Sequence, residues 1–109
     1  MRPGIEAVIT DHIRSATPVV VEGDYLLPDV GAGFGDHVRT VVISEPDERQ
    51  ITANYLSREP GTAEQRFRAA VSAGFDAELR VRAARTGVPV VAARPWSDNV
   101  DRVDAALRR

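Results

Sequence analysis

Two carboxylates stand on either side of a glycine, directly after the most β-prone run of the chain. Residues 19–21 are three consecutive valines, and Glu22 and Asp24 follow them around Gly23. Such a run is typical of a strand buried on both faces of a parallel sheet. Ligands of open α/β sheets bind beyond the carboxyl ends of the strands. We therefore interpret residues 18–27 as a strand that delivers acid groups to a metal or substrate site, with ordinary solvated acids as the alternative.

Three arginines surround a second candidate segment. Arg58, Arg66 and Arg68 flank a turn containing Pro60 and Gly61, and all fourteen basic residues of the chain are arginine. The lack of lysine excludes a Schiff base and a phosphate-binding P-loop lysine. Planar, permanently charged guanidinium groups suit the binding of phosphate. A solvated helix face explains the same arginines equally well, so the sequence leaves both interpretations open.

Composition limits the class of protein. The chain has 109 residues, a net charge of −2 and no cysteine. This length suits one domain over residues 1–109, and the absence of cysteine excludes disulfides and thiolate metal sites. Interspersed charges without a basic excess argue against nucleic-acid binding. No apolar stretch is long enough to span a membrane and no signal-peptide core is present, so we expect a cytoplasmic protein without a membrane partner.

Strand-like and helix-like segments alternate along the chain. This order predicts an α/β fold with a parallel sheet of about three strands, flanked by helices and joined by right-handed crossovers. The long helix is predicted to bury a stripe of residues four apart, namely Phe67, Val71, Phe75 and Leu79. The predicted elements are helix 4–16, strand 18–27, strand 39–44, a helix from the N-cap Asp47 to about residue 58, helix 62–85, strand 88–93 and a last helix capped by Ser97 or Asp98.

The ordered set of these features resembles the C-terminal half of P-loop NTPase small-molecule kinases. The resemblance rests on the strand with Glu22-Gly23, the apolar strand before Glu45-Pro46-Asp47, the arginine-rich helix, and Arg94-Pro95-Trp96 after the last strand. It is nearest to bacterial AAA family ATPases of the 2-phosphoglycerate kinase-like kind, and more distant to adenylate and shikimate kinases. It covers most of the chain, although none of its motifs is highly specific.

The resemblance implies a role for each candidate residue. Glu22 would help to hold Mg²⁺ through water, and Asp24 would act on a substrate hydroxyl or on the same metal. Arg58, Arg66 and Arg68 would belong to a lid over about residues 58–68 and reach the phosphates of ATP. Arg94 and Trp96 would lie near the adenine, although packing against the sheet end is the alternative for Trp96. ATP and Mg²⁺ are thus implied by the resemblance alone.

One departure from the family is severe. The sequence contains no G-x-x-x-x-G-K-[ST] loop, which cradles the phosphates in these kinases. The strand before that loop normally lies between the third and fourth strands, and its absence leaves a gap that invites association. We therefore expect an incomplete kinase-like protein without phosphoryl transfer. With an upstream phosphate-binding loop it would phosphorylate a small-molecule hydroxyl. The alternative is a non-catalytic interaction module that forms a homodimer, or docks on another subunit, through an exposed sheet edge.

Overall fold

The computed structural model describes residues 2–23, 26–59 and 61–108. Most of these residues are helical, and two short strands form a parallel sheet, so the predicted α/β class is confirmed. The described part contains no helix that is both long and apolar enough to cross a membrane. The elements are α1 (Arg2–Ser15), a 3₁₀ helix (Ala32–His37), β1 (Val42–Ser44), α2 (Glu48–Arg58), α3 (Thr62–Thr86), β2 (Val90–Ala92), a 3₁₀ helix (Trp96–Asp98) and α4 (Asn99–Leu107).

The sheet consists of β1 and β2 in the described part of the chain. Val42 lies opposite Val90, and Ser44 opposite Ala92, with the strands parallel. The predicted strands 39–44 and 88–93 are therefore confirmed in shortened form, together with their parallel direction. Their register places Ile43 and Val91 on one face of the sheet and the two flanking pairs on the other.

Among the described residues, the predicted strand at residues 18–27 does not form, and the sheet has two strands instead of about three. Residues 17–23 have no regular secondary structure, and Val20 is 92% exposed. Asp24 and Tyr25 lie outside the described residues. A strand exists only where a neighbour accepts its backbone hydrogen bonds, and β-branched residues do not supply that neighbour by themselves.

Local signals place the ends of the central helices correctly. The carboxylate of Asp47 accepts the backbone N–H groups of Arg49 at 2.9 Å and Gln50 at 3.4 Å, which confirms it as the N-cap of α2. The far end of α3 is also where the sequence predicts it. Gly87 follows the helix with φ of 72°, a left-handed conformation that favours glycine.

The predicted apolar stripe of α3 is wrong for three of its four residues, and the fourth, Leu79, is only half-buried. Phe67 is 71% exposed and Val71 57%, and Phe75 is also exposed. The opposite face is buried because α2 and β1 pack against it. That buried face is formed by Gln65, Ala69, Asp76 and Ala83.

Each strand is covered by a helix on one face only. The Ser44 hydroxyl donates to Asp76 of α3, so α3 lies over the Val42 and Ser44 face of β1. Val91, on the other face, is buried where α4 packs on β2. The uncovered positions are Ile43, 52% exposed, Val90, 41% exposed, and Ala92, which is also exposed. The sheet is therefore only half covered on either side.

Candidate functional site

Charged side chains meet at the carboxyl ends of the two strands, where α/β proteins bind their ligands. Glu45 follows β1 and Arg94 follows β2, and the Arg94 guanidinium donates to both oxygens of Glu45, at 2.5 and 3.3 Å. The third guanidinium nitrogen donates to the side-chain oxygen of Gln50 at 3.1 Å. Asp47 completes the group, 3.6 Å from Arg94. The residues that follow the two strands are thereby joined to the start of α2.

A second network lies beneath this one and is largely buried. Asp76 of α3 accepts the Ser44 hydroxyl at 2.9 Å, the Glu45 backbone N–H at 3.0 Å and the Arg80 guanidinium at 3.0 Å. A buried carboxylate is stable when hydrogen bonds and an opposite charge compensate for its lost hydration. Asp76 therefore fixes the middle of α3 to the end of β1.

The electrostatics of the cluster favour permanent pairing. The hydrogen bond that Arg94 donates to Glu45, followed by the negative charges of Glu45 and Asp47, raises the pKa of Arg94 above its ordinary value. Arg94 therefore stays charged and keeps the two carboxylates occupied. Every acid of this cluster already faces an arginine, so none is positioned as a general base with an open approach.

The described residues do not assemble the magnesium site that the resemblance implies. They contain no group of three histidines, cysteines, aspartates or glutamates that could hold a metal ion. Glu22 is exposed, and it makes no hydrogen bond or ion pair with any other described residue. Asp24, its predicted companion, lies outside the described residues.

Two of the three predicted lid arginines come together on one aromatic ring. The guanidinium carbon of Arg58 lies 5.4 Å from the ring centre of Tyr55, and that of Arg68 lies 4.4 Å from it. Arg68 also forms an ion pair with Glu59 at 2.7 Å. Such cation–π contacts join the end of α2 to the start of α3. Arg66 is exposed and unpaired within the described part.

The two residues predicted to lie near the adenine, Arg94 and Trp96, have different surroundings in the structure. Arg94 belongs to the charged cluster at the strand ends, where it holds Glu45 rather than an open pocket. Trp96 begins the short 3₁₀ helix before α4 and is 60% exposed. The structure therefore brings Arg94 close to Glu45 but leaves Trp96 on the surface.

Sequence reasoning missed the residues that organise this region. Ser44 and Asp76 form its buried hydrogen bond, and the exposed Arg80 pairs with the same carboxylate. The four-residue spacing of Asp76 and Arg80 indicates an ion pair on a helix, but it does not reveal that Asp76 is buried. Ser44 gives no signal, because its partner lies 32 residues away.

The outer edge of β1 is open. Val42 donates its N–H to Pro89 and Ser44 accepts from Ala93, so both turn their backbone groups toward β2. The alternation of a strand then turns the N–H and C=O of Ile43 outward. Neither group has a hydrogen-bond partner among the described residues.

The opposite edge of the sheet is partly occupied. Arg102 of α4 donates to the backbone carbonyls of Ala92 at 2.6 Å and Pro95 at 2.7 Å. It also forms an ion pair with Asp98 at 3.0 Å. A long side chain thus covers the end of β2, whereas nothing comparable in the described chain covers Ile43.

Comparison with known proteins provides no family. No family model, no curated protein and no solved structure matches the chain. The conclusions that follow therefore rest on the geometry of this chain.

Proposed function

We propose that the chain is a non-catalytic interaction module that binds a β-strand along the free edge of β1. The observation that carries the proposal is the outward backbone of Ile43, which is unpaired within the described chain. An unpaired strand edge is a template for another strand, and strand addition is a common mode of peptide recognition.

The size of the sheet supports the same function. Isolated two-stranded sheets are marginal, and a third strand or further packing is needed for independent stability. Here β1 and β2 pair over three residues each, and each has one uncovered face. A strand added beside β1 would extend the hydrogen-bonded ladder and cover part of Ile43. We expect an apolar, β-branched strand as the ligand, because the exposed Ile43 side chain lies beside it.

A synthetic peptide of residues 17–23 (TPVVVEG) is a suitable probe, since it carries three valines that are exposed in the described structure. We expect saturable binding by fluorescence anisotropy and slower hydrogen exchange at the Ile43 amide. The matched control is the same peptide with Val20→Pro, which lacks the central N–H donor.

The variant Ile43→Pro tests the edge itself. Among the backbone hydrogen-bonding groups, proline removes only the outward N–H of residue 43, so the hydrogen bonds between β1 and β2 remain. Edge strands tolerate proline. We expect Ile43→Pro to lose peptide binding while its circular dichroism is unchanged, and Ile43→Thr to retain binding. Equal binding by Ile43→Pro, or no saturable binding by the natural chain, would contradict the proposal.

A second candidate is an incomplete ATP-dependent kinase. It is favoured by the parallel pairing of β1 and β2 and by the acids and arginines at their carboxyl ends. The resemblance puts the missing phosphate-loop strand beside β1, at the same open edge. On this proposal, the strand that binds there would bring the phosphate loop with it. Sequencing of the native N-terminus separates the two candidates, because the kinase needs an upstream segment with a G-x-x-x-x-G-K-[ST] loop and an interaction module does not.

A further inference from the structure

A continuous apolar line runs along the outward face of α3. The line contains no polar side chain, and its members alternate at spacings of four and three residues. Its largest members are Phe67, 71% exposed, and Val81, 45% exposed. We call this line the outer seam. It consists of Ala63, Phe67, Ala70, Gly74, Ala77, Val81 and Ala84, and every member is exposed.

The spacing of the outer seam is that of a helix-pairing surface. Alternating steps of four and three residues average 3.5, the period of a left-handed coiled coil. A surface helix normally turns polar residues outward. The five alanine and glycine members leave little side-chain bulk, so a second helix can approach closely along most of the seam.

The side chains of the seam are complementary to a reversed copy of themselves. In an antiparallel pair whose centre lies between Gly74 and Ala77, Phe67 meets Ala84 of the other copy. In the same arrangement Ala70 meets Val81, and Gly74 meets Ala77. Each layer then combines a larger residue with a smaller one or two small ones, which is how facing helices interdigitate.

The charges beside the seam are complementary in the same arrangement. Glu64 and Arg85 flank it near opposite ends of α3, and neither side chain has a hydrogen bond or ion pair with another described residue. The antiparallel pair places Glu64 of each copy beside Arg85 of the other. Two equivalent ion pairs result, as the two-fold symmetry of a homodimer requires.

Other arrangements bring like charges together. A shift of the antiparallel pair by one heptad places Glu64 beside Glu78, or Glu78 beside its own copy. A parallel pair places Arg80 beside Arg85. Like charges at the flanking positions of helix pairs disfavour those partners and registers.

We infer that α3 forms an antiparallel homodimer with α3 of a second copy through the outer seam. The surface differs from the β1 edge, so this inference does not depend on the proposed function. Analytical ultracentrifugation over a concentration series tests it first. We expect a species of twice the 11.9 kDa chain mass. A monomer at the highest soluble concentration would overturn the inference.

Charge reversal tests the orientation and the register. In a dimer of the Glu64→Arg variant, each substituted side chain faces Arg85 of the other copy, and in a dimer of the Arg85→Glu variant each faces Glu64 of the other copy. We expect each single variant to weaken the dimer about tenfold, because two ion pairs become repulsive. An equimolar mixture of the two variants restores both ion pairs, so it should form a heterodimer near the natural strength.

The mixture distinguishes the proposed pairing from a folding defect, because damaged chains would not recover on mixing. Circular dichroism confirms that each variant keeps its helices. Ile43→Pro is the matched control for dimerisation through the sheet edge, and it should leave the α3 dimer intact. Loss of the dimer in Ile43→Pro, or unchanged dimers in both charge variants, would contradict the inference.

Discussion

The two faces of α3 reverse the usual arrangement of a surface helix. The inward face buries Gln65, 1% exposed, and Asp76, whereas the outward face exposes Phe67 and Val81. Burial of a carboxylate is tolerable on the inward face because three donors reach Asp76. Specific hydrogen bonds and small side chains therefore hold α3 on the sheet. Its larger apolar side chains remain accessible to another molecule.

The largest expected effect comes from the buried carboxylate. Asp76→Ala leaves the Ser44 hydroxyl, the Glu45 N–H and the Arg80 guanidinium without their acceptor. We expect the free energy of unfolding to fall by about 2–4 kcal/mol, because groups left unpaired in a buried site lose their compensation. Urea denaturation measures this loss.

The control for that variant is Glu78→Ala, which removes only the exposed ion pair with Arg82. Exposed pairs of this type contribute about 0.3–0.5 kcal/mol. Similar losses in the two variants would show that the inward network is no more important than a surface ion pair.

A substitution by leucine compares the two faces directly. Ala83 is fully buried and its neighbour Ala84 is exposed. Ala83→Leu overfills the inward face and should lower the free energy of unfolding by about 1–3 kcal/mol. Ala84→Leu should leave it within about 0.5 kcal/mol at concentrations where the chain is monomeric. Thermal unfolding of both variants gives the comparison, and a larger loss in Ala84→Leu would reverse the assignment of the faces.

The smallest effect concerns the contact between α2 and the inward side of α3. The hydroxyls of Tyr55 and Ser72 are hydrogen-bonded at 2.9 Å. Tyr55→Phe should lower the free energy of unfolding by about 1 kcal/mol, because the ring stays and only the hydrogen bond is lost.

A double-mutant cycle with Ser72→Ala isolates this hydrogen bond. If the bond is real, the second substitution adds little after the first, since both remove the same contact. Fully additive losses would mean that the two hydroxyls act separately.

Much of the secondary structure was predictable because its signals are local. The N-cap Asp47, the glycine at Gly87 and the apolar runs before residues 45 and 93 place α2, the end of α3, β1 and β2 within a few residues. Caps and turn residues act on backbone groups only a few positions away. Those elements can therefore be predicted without knowing which distant residues pack against them.

The candidate site was only partly predictable. Arg58 and Arg68 are both predicted lid residues and do share the ring of Tyr55, but Arg68 is paired with Glu59 rather than facing an open site. Glu22 was expected at a strand end and lies in an exposed segment. Its place depended on a strand, and a strand depends on a neighbour that may lie anywhere in the chain.

Local signals were enough to predict the α/β class, the helix ends and the parallel direction of β1 and β2, because short-range chemistry and chain connectivity limit these features. The folded structure was needed to show which face of α3 is buried and which valine-rich run becomes a strand. Asp76 holds the inward face of α3 on β1, because it accepts hydrogen bonds from the Ser44 hydroxyl and the Glu45 N–H. Burial and strand pairing depend on partners distant in sequence, and those partners exist only once the chain has folded.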